Sequence, residues 1–482
     1  MAIGTTIKTI QDIMRKDAGV DGDAQRISQL VWMIFLKIFD DQEAEYEMTR
    51  DEYRSPIPEA LRWRNWAANP EGMTGETLLD FVDNVLFKTL KELPIAPANP
   101  RAKVVRDVFE DAYNYMKNGT LLRQVVNKLN EIDFNNSKDK HLFGDIYEKI
   151  LRDLQNAGNA GEYYTPRAVT QFMVEQVDPQ LGDRVLDPAC GTGGFLTCVL
   201  EHIRDHAPMQ GEDELRLHRS IVGVEKKPLP HLLCVTNLLL HGVDVPAVRH
   251  DNTLARPLRD YAPSERVQVI VTNPPFGGME EDGIEANFPA TLRTRETADL
   301  FLVLIMHLLE PGGRAAIVLP DGTLFGEGVK TRIKEKLLSE CDLHTIVRLP
   351  NGVFNPYTGI KTNLLFFTKG KPTSEVWYYE HPYPEGAKSY NKTKPIRIEE
   401  FAPEKAWWHN RTENQFAWKV SIEQIRASNY NLDIKNPHQI DAEHQDFDEM
   451  LSEHQLLLAA VGETRNALKQ ELMAALGGTD GV

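Results

Sequence analysis

The sequence predicts an α/β fold: a doubly wound, mainly parallel sheet in mid-chain, with an all-helical domain before it and a helical tail after it. Three observations predict it. From residue 184 onward, short β-branched runs alternate with longer apolar-periodic stretches, as parallel strands and their crossover helices do. At 185–194 an apolar strand breaks into a turn containing Gly191, Gly193 and Gly194, followed at once by an apolar helix. From Ile7 to Arg152 the apolar spacing is that of helices.

A chain of 482 residues is long for one core, and two or three domains are expected. The divisions fall at 1–155 (helical), 156–372 (the sheet), 373–440 (an irregular β-like extension) and 441–482 (the tail). Hydrophobic residues at 41% and charged ones at 26% are ordinary for a soluble globular protein. No apolar run approaches the ~18–20 residues of a membrane span, and the first residues lack the apolar core of a signal peptide. Cys190, Cys198, Cys234 and Cys341 show no C-x-x-C spacing, so they read as reduced thiols of a cytoplasmic protein, and no metal is expected. The net charge of −17 argues against a chain that coats nucleic acid by itself. It leaves open a cleft that touches nucleic acid locally, or a partner chain that supplies the phosphate contacts.

In the helical domain the clearest stripe is Ile27, Leu30, Val31, Ile34, Phe35, Ile38 and Phe39, widened by Trp32, Met33 and Leu36, which predicts a helix buried on most sides. Further helices are expected at 75–90, 102–116 and 121–133, separated by proline-containing loops. Nothing there forms a catalytic constellation; scaffolding or interaction is the expected role. A Gly/Asn/Ala-rich connector at 156–161 leads into Glu162-Tyr163-Tyr164-Thr165-Pro166-Arg167. Thr165 is expected to cap a helix whose first residue is Pro166. That leaves Glu162 and the paired tyrosines unexplained. Strands are expected at 184–187, 220–225, 247–250, 267–272, 315–319 and 343–348, and helices at 195–206, 230–241, 298–310 and 329–339. The run 362–368 has no helix before it and is expected to pair antiparallel at an edge.

Ligands of such sheets sit at the carboxyl ends of the strands. Three of those ends carry carboxylates: Asp187, Glu225 and Asp251. A glycine turn alone reads equally as a bare strand-to-helix turn or as a ligand site. An acidic residue ending the second strand is the usual partner of ribose hydroxyls, although the interval from Asp187 to Glu225 exceeds the usual ~20 residues. An enlarged helix and a loop at 209–217 would absorb the excess. Asp251 is placed to reach an adenine amino group.

The strand at 267–272 then runs into Asn273-Pro274-Pro275-Phe276. Two prolines stop the strand and fix a rigid turn over the carboxyl edge of the sheet. The Asn273 carbonyl and the Pro274 backbone carbonyl are two acceptors able to converge on one exocyclic amine. Phe276 adds an aromatic face for a flipped base. Held so, the amine faces an electrophile over the glycine turn, and positioning rather than a strong base supplies the catalysis.

These residues resemble the S-adenosylmethionine-dependent amino-methyltransferases of the adenine-N6 branch, with the glycine motif preceding the Asn-Pro-Pro-Phe motif as in the gamma arrangement. The stretches 161–167, 187–196, 273–276 and 349–363 more narrowly resemble the modification (M) subunit of type I restriction–modification systems, along nearly the whole chain. The resemblance implies a Rossmann-like methyltransferase core and transfer of methyl from S-adenosylmethionine to adenine N6 in double-stranded DNA. It implies a specificity (S) subunit, a restriction (R) subunit in the full complex and a second copy of the M subunit as partners. It places the cofactor against Glu162, Tyr163, Tyr164, Thr165, Pro166, Arg167, Thr192, Gly193, Gly194 and Glu225, with Asp187 nearby; Ala189, Gly191 and Asp251 complete the candidate set. Asn273, Pro274, Pro275 and Phe276 fall on the target-amine clamp. Two other readings of the motifs are an RNA or protein-glutamine methyltransferase using the same clamp, and a non-catalytic assembly protein that kept the fold.

Of the remaining segments, the loop 288–297 with Arg293 and Arg295 reads as solvated rather than phosphate-binding. The aromatic residues Phe354 and Tyr357 place 351–363 either at the border of a flipped base or in a packed turn. The stretch past Lys371, irregular β-like pieces and a final helix, is too short for a DNA target-reading domain, so specificity is expected from another chain. The tail from Asp441, with Phe447, Met450, Leu451, Leu457 and Leu458, is expected to dock on helices of the specificity subunit or to pack on its own core.

Overall fold

A computed structural model describes residues 3–97, 99–132, 147, 164–276, 278–355, 357–387, 389–391, 394–438, 464–465 and 468–469. Glu162, Tyr163 and the expected tail from Asp441, apart from residues 464–465 and 468–469, lie outside the described residues. The chain divides into two compact units, Met1–Ile434 and Lys435–Val482, and the sheet and the N-terminal helices all belong to the first. No described helix is long and apolar enough to cross a membrane.

The sheet has nine strands: β1 Val185–Asp187, β2 Ile221–Glu225, β3 Ala247–His250, β4 Val267–Thr272, β5 Leu309–Pro320, β6 Cys341–Arg348, β7 Thr362–Lys369, β8 Glu375–Glu380 and β9 Ala417–Ser421. Their order is β3-β2-β1-β4-β5-β7-β6-β8-β9. The first five strands in that order are parallel neighbours. The chain winds outward from β1 to β3, then crosses back to β4 on the other side of β1. That reversal opens a crevice at the carboxyl ends of β1, β2 and β4. β1 and β4 are near-continuous apolar runs because helices cover both faces, among them Gly194–His206, Pro228–Leu240 and Thr297–Leu308.

β7 is antiparallel, as its short approach requires, but it is internal, paired with both β5 and β6. Leu364, Leu365, Phe366 and Phe367 are all buried, so both faces of β7 meet apolar layers. An edge strand would leave one row of its backbone groups to solvent. β6 in turn pairs in parallel with β8, and β9 closes that side, so the segment read as a β-like extension adds two strands to this same sheet. The interval between Asp187 and Glu225 is filled by the helix Gly194–His206 and a second helix, Asp213–Ser220, where a loop is expected from sequence.

In the helical region Asp23–Thr49 is the long central helix, with Trp32, Ile34, Phe35, Leu36 and Phe39 buried. Trp32 meets Phe87 edge-to-face at 5.0 Å, and Phe87 meets Phe109 at 5.1 Å. A polar joint ties these helices to the loop before β3. The Arg101 Nη1 donates to the Asp244 backbone carbonyl (2.5 Å), while Tyr46 and Arg50 donate to the Asp244 carboxylate. Burial would raise the Asp244 pKa, but those donors outweigh it and hold the carboxyl below its usual range.

Candidate functional site

A cavity of about 310 Å³ opens at the carboxyl ends of β1, β2 and β4. Asp187, Ala189, Gly191, Thr192 and Gly194 come to its wall from the glycine turn, Glu225 from the end of β2, and Asn273 and Pro275 from the turn after β4; Thr165 joins them from across the chain. The turn can bend so tightly because Gly191 and Gly193 take φ of +53° and +82°. At Gly193 a Cβ would also lie 2.8 Å from the Cys234 Sγ. The helix Gly194–His206 therefore starts at the cavity wall, and no side chain caps its first N–H groups.

The polar groups divide into those already engaged and those held ready. Glu225 accepts from the Gly191 N–H at 2.9 Å and from the Lys227 N–H at 2.7 Å, which locks the turn to β2. Asp187 Oδ1 accepts from the Thr272 hydroxyl at 2.7 Å and the Ala189 N–H at 3.1 Å. Asp187 Oδ2 and Asn273 Oδ1 are both buried and have no donor. An unmet buried acceptor is costly, and a ligand amine or hydroxyl would satisfy it.

The Asn273 amide is not free to turn. Its Nδ2 donates to the Thr165 hydroxyl at 2.9 Å, which commits the carbonyl oxygen to the other direction. This overturns the expected capping role of Thr165. The helix begins at Arg167, Pro166 is extended (ψ 131°) at the cap position, and no side chain caps it. The Thr165 hydroxyl is spent on the clamp instead. Phe276 is buried and meets Phe354 edge-to-face at 5.5 Å, so the 349–363 segment brings a second aromatic ring to the clamp.

Other sequence candidates sit elsewhere. The Arg167 guanidinium bonds the Thr197 hydroxyl at 3.0 Å and pairs with Glu201, tying two helices together behind the turn. Tyr164 is packed in the core. Pro166, Gly193, Pro274 and Phe276 stand next to the cavity wall in the chain without forming it. Asp251 is exposed at the end of β3, where its carboxylate accepts from the Asn252 N–H at 2.8 Å; it lies outside the wall because β3 ends beyond β2, at the sheet edge. Arg295, nearly half exposed, pairs with the exposed Asp282 (2.7 Å) and donates to the Glu280 carbonyl (3.1 Å). Lys226, Glu280 and Thr297, absent from the sequence candidates, do line the cavity. Lys226 was signalled by following Glu225 and Glu280 by following the clamp, but nothing local marks Thr297.

Burial pushes the Asp187 carboxyl up to about 7; Thr272 and the Ala189 N–H pull the other way, and the Glu225 charge adds to the rise. The folded chain therefore keeps a proton that the unfolded chain gives up near pH 4. The stabilisation from this group is full below pH 4 and is lost as pH rises through about 7. Asp187→Asn is expected to remove that slope: the denaturation midpoint of the wild type relative to the variant should fall from pH 4 to 7 and then level. A constant difference across that window would contradict the assignment.

The family model described as N-6 DNA Methylase matches residues 138–446, and the one described as HsdM N-terminal domain matches residues 3–129. Among curated proteins, the chain is similar to the type I restriction enzyme EcoEI methylase subunit of Escherichia coli, 64% identical over 491 residues and covering 100% of each chain. Among solved structures it resembles a modification subunit assigned to a type I restriction enzyme from Vibrio vulnificus YJ016, with 46% identity, a TM-score of 0.82 and coverage of 92% of this chain and 98% of that one. It also resembles a chain from a structure of the type I R-M system, with 36% identity, a TM-score of 0.81 and 98% of both chains covered.

Proposed function

The chain belongs to the N-6 DNA methylase family, among the methylase subunits of type I restriction–modification systems, and on that premise we propose how its cavity works: it transfers methyl from S-adenosylmethionine to N6 of an adenine flipped out of double-stranded DNA. The observation that carries this reading is the Asn273 carbonyl, buried, without a donor and aimed by Thr165. Asp187, Gly191, Thr192, Gly194 and Glu225 would hold the cofactor, and their chemistry fits it: a spare buried carboxylate oxygen for an amine, a second carboxylate at a strand end for ribose hydroxyls, and helix N–H groups. When bound, S-adenosylmethionine supplies an electrophilic methyl group on a sulfonium.

The chain's own residues do the rest. Asn273 Oδ1 and the Pro274 carbonyl accept the two hydrogens of the target amine and turn its lone pair towards the glycine turn. The Asn273 amide keeps that direction because Thr165 occupies its other end. Phe276, beside the cavity wall and braced by Phe354, would offer the aromatic face on which the flipped base is held. The nitrogen sheds a proton after transfer, so the site needs no strong base. Family membership leaves the RNA and protein-glutamine readings of the tetrapeptide without support.

Sequence choice is assigned to a separate specificity subunit, with a second methylase copy and, in the full complex, a restriction subunit. The net charge of −17 supports this division, because such a chain gains little from DNA phosphates on its own. The organisation proposed with it is a helical domain at 1–155, the catalytic sheet from 156 and a docking tail from 441. Labelled methyl from S-adenosylmethionine should pass to DNA only when the specificity subunit is co-expressed. No transfer in either condition by a folded, cofactor-binding protein would refute the reading. Deleting residues 441–482 should abolish co-purification with the specificity subunit; undiminished co-purification would remove the tail from the proposal.

A further inference from the structure

Resting on that reading of the cavity, one feature of its mouth goes further. The segment after the clamp lines the cavity through Gly278, Met279 and Glu280, and Glu280 meets the residue that follows Glu225. Its anchor is Glu280, whose N–H donates to the Arg295 carbonyl at 2.8 Å and whose Oε1 accepts from the Thr297 hydroxyl at 3.1 Å. The other carboxylate oxygen reaches over to the β2–β3 side. There it accepts from Lys226 Nζ at 3.3 Å and from Asn252 Nδ2 at 3.4 Å.

The two partners of this ion pair are built differently. Glu280 is 8% exposed and is held by its backbone and by both oxygens. The Lys226 side chain is 38% exposed and is bonded at its tip alone, to Glu280 and to the exposed Glu281, also at 3.3 Å. Contacts of this length are at the weak end for a charged hydrogen bond, so the lysine can part from its anchor while the anchor stays put. Both residues line the cavity, one from the end of β2 and one from the segment after the clamp. Glu280 lies four positions after Phe276 and Lys226 one after Glu225, so the pair joins the target side of the site directly to the ribose side.

We propose that Glu280 is a positioning residue for the cofactor: fixed by Thr297 and Arg295, it holds the Lys226 side chain as a latch across the cavity mouth, and the cofactor leaves when that contact parts. The latch sets the residence time of S-adenosylmethionine and of its product S-adenosylhomocysteine. It leaves the acceptor geometry of Asn273 untouched, because Glu280 makes none of the bonds that orient that amide.

The test is a double-mutant cycle on the full chain, read as the dissociation rate and Kd of S-adenosylhomocysteine, with melting temperature as the fold control. Glu280→Gln keeps the Thr297 bond and removes the charge; Lys226→Met keeps the stem and removes the ammonium. Each is expected to speed dissociation about three- to fivefold, and the double variant no more than either alone. The wild-type rate should rise with ionic strength, since a partly exposed pair is screened, and the Lys226→Met rate should not. Lys226→Glu combined with Glu280→Lys should recover part of the wild-type residence time. Additive effects in the cycle, or unchanged rates in every variant of a protein that binds the ligand, would overturn the latch alone. Failure of the wild-type chain to bind S-adenosylhomocysteine would overturn the cavity assignment, and the latch with it.

Discussion

Asn273→Ala is expected to lower the rate of methyl transfer by about three orders of magnitude while leaving cofactor affinity within roughly twofold of wild type. The split follows from the geometry. The Asn273 side chain has two ends, and one is already committed: Nδ2 donates to Thr165 Oγ1 at 2.9 Å. The other, Oδ1, is buried with no donor and faces the position proposed for the target amine. Truncation removes that acceptor and with it the alignment of the lone pair, which is the part of the barrier this site is built to lower. The groups proposed to hold the cofactor come from β1 and β2 and do not depend on Asn273 for their own bonds: Glu225 is held by Gly191 and Lys227, and Asp187 by Thr272 and Ala189. Thr165→Val tests the same idea from behind. It keeps Asn273 but frees its amide to rotate, and a loss of roughly ten- to a hundredfold in kcat with unchanged cofactor affinity is expected. Methyl-transfer kinetics on the assembled enzyme and calorimetric cofactor binding on the same preparations decide both cases. A parallel collapse of cofactor binding in Asn273→Ala would mean that the clamp and the cofactor pocket have been confused.

A second large effect is expected far from the cavity. Arg101→Leu should cost about 3–5 kcal/mol, read as the shift of a denaturant midpoint. Arg101 is buried and its Nε meets Glu43 Oε1 at 2.6 Å; the Glu43 side chain is fully buried. The same guanidinium reaches Gln42 Oε1 at 3.2 Å and the Asp244 carbonyl at 2.5 Å, and lies 4.2 Å from the centre of the Phe39 ring. Removing it strands a carboxylate that has only the Tyr53 hydroxyl left, at 2.9 Å, and a second oxygen that is already without a donor. The size of the penalty comes from that stranded charge rather than from the attraction lost. Glu43→Leu combined with Arg101→Leu should therefore recover most of the loss, since an apolar pair in a buried site needs no desolvation repaid. Equal destabilisation of the single and double variants would show that the bonds to Asp244 and Gln42, not the ion pair, hold this joint. Because Arg101 also spans to the loop before β3, Arg101→Leu should raise amide exchange in both the helix Asp23–Thr49 and residues 242–246.

Much of this protein is determined by its sequence taken alone. The alternation of apolar strands with helical stretches specifies the order and type of the sheet's elements, because each signal lies within a few neighbouring residues: β3 and β4 fall where that pattern puts them. The two chemical motifs are equally local. Glycines at positive φ make the turn after β1, proposed to hold the cofactor, and two prolines follow β4 in the proposed clamp. What only the tertiary structure decided involves residues distant in sequence. That Thr165 orients Asn273 instead of capping a helix depends on a contact spanning 108 positions. Arg167 is drawn to Glu201 by helix packing, and Asp251 is left outside the cavity because β3 ends at the sheet edge. β7 moves inward because both of its faces are apolar and β6 keeps its other side for β8. Glu280, Lys226 and Thr297 meet only because the segment after the clamp doubles back. Side-chain spacing encodes what forms along the chain; which distant side chain takes up a buried donor or acceptor is settled by where the packed elements bring it.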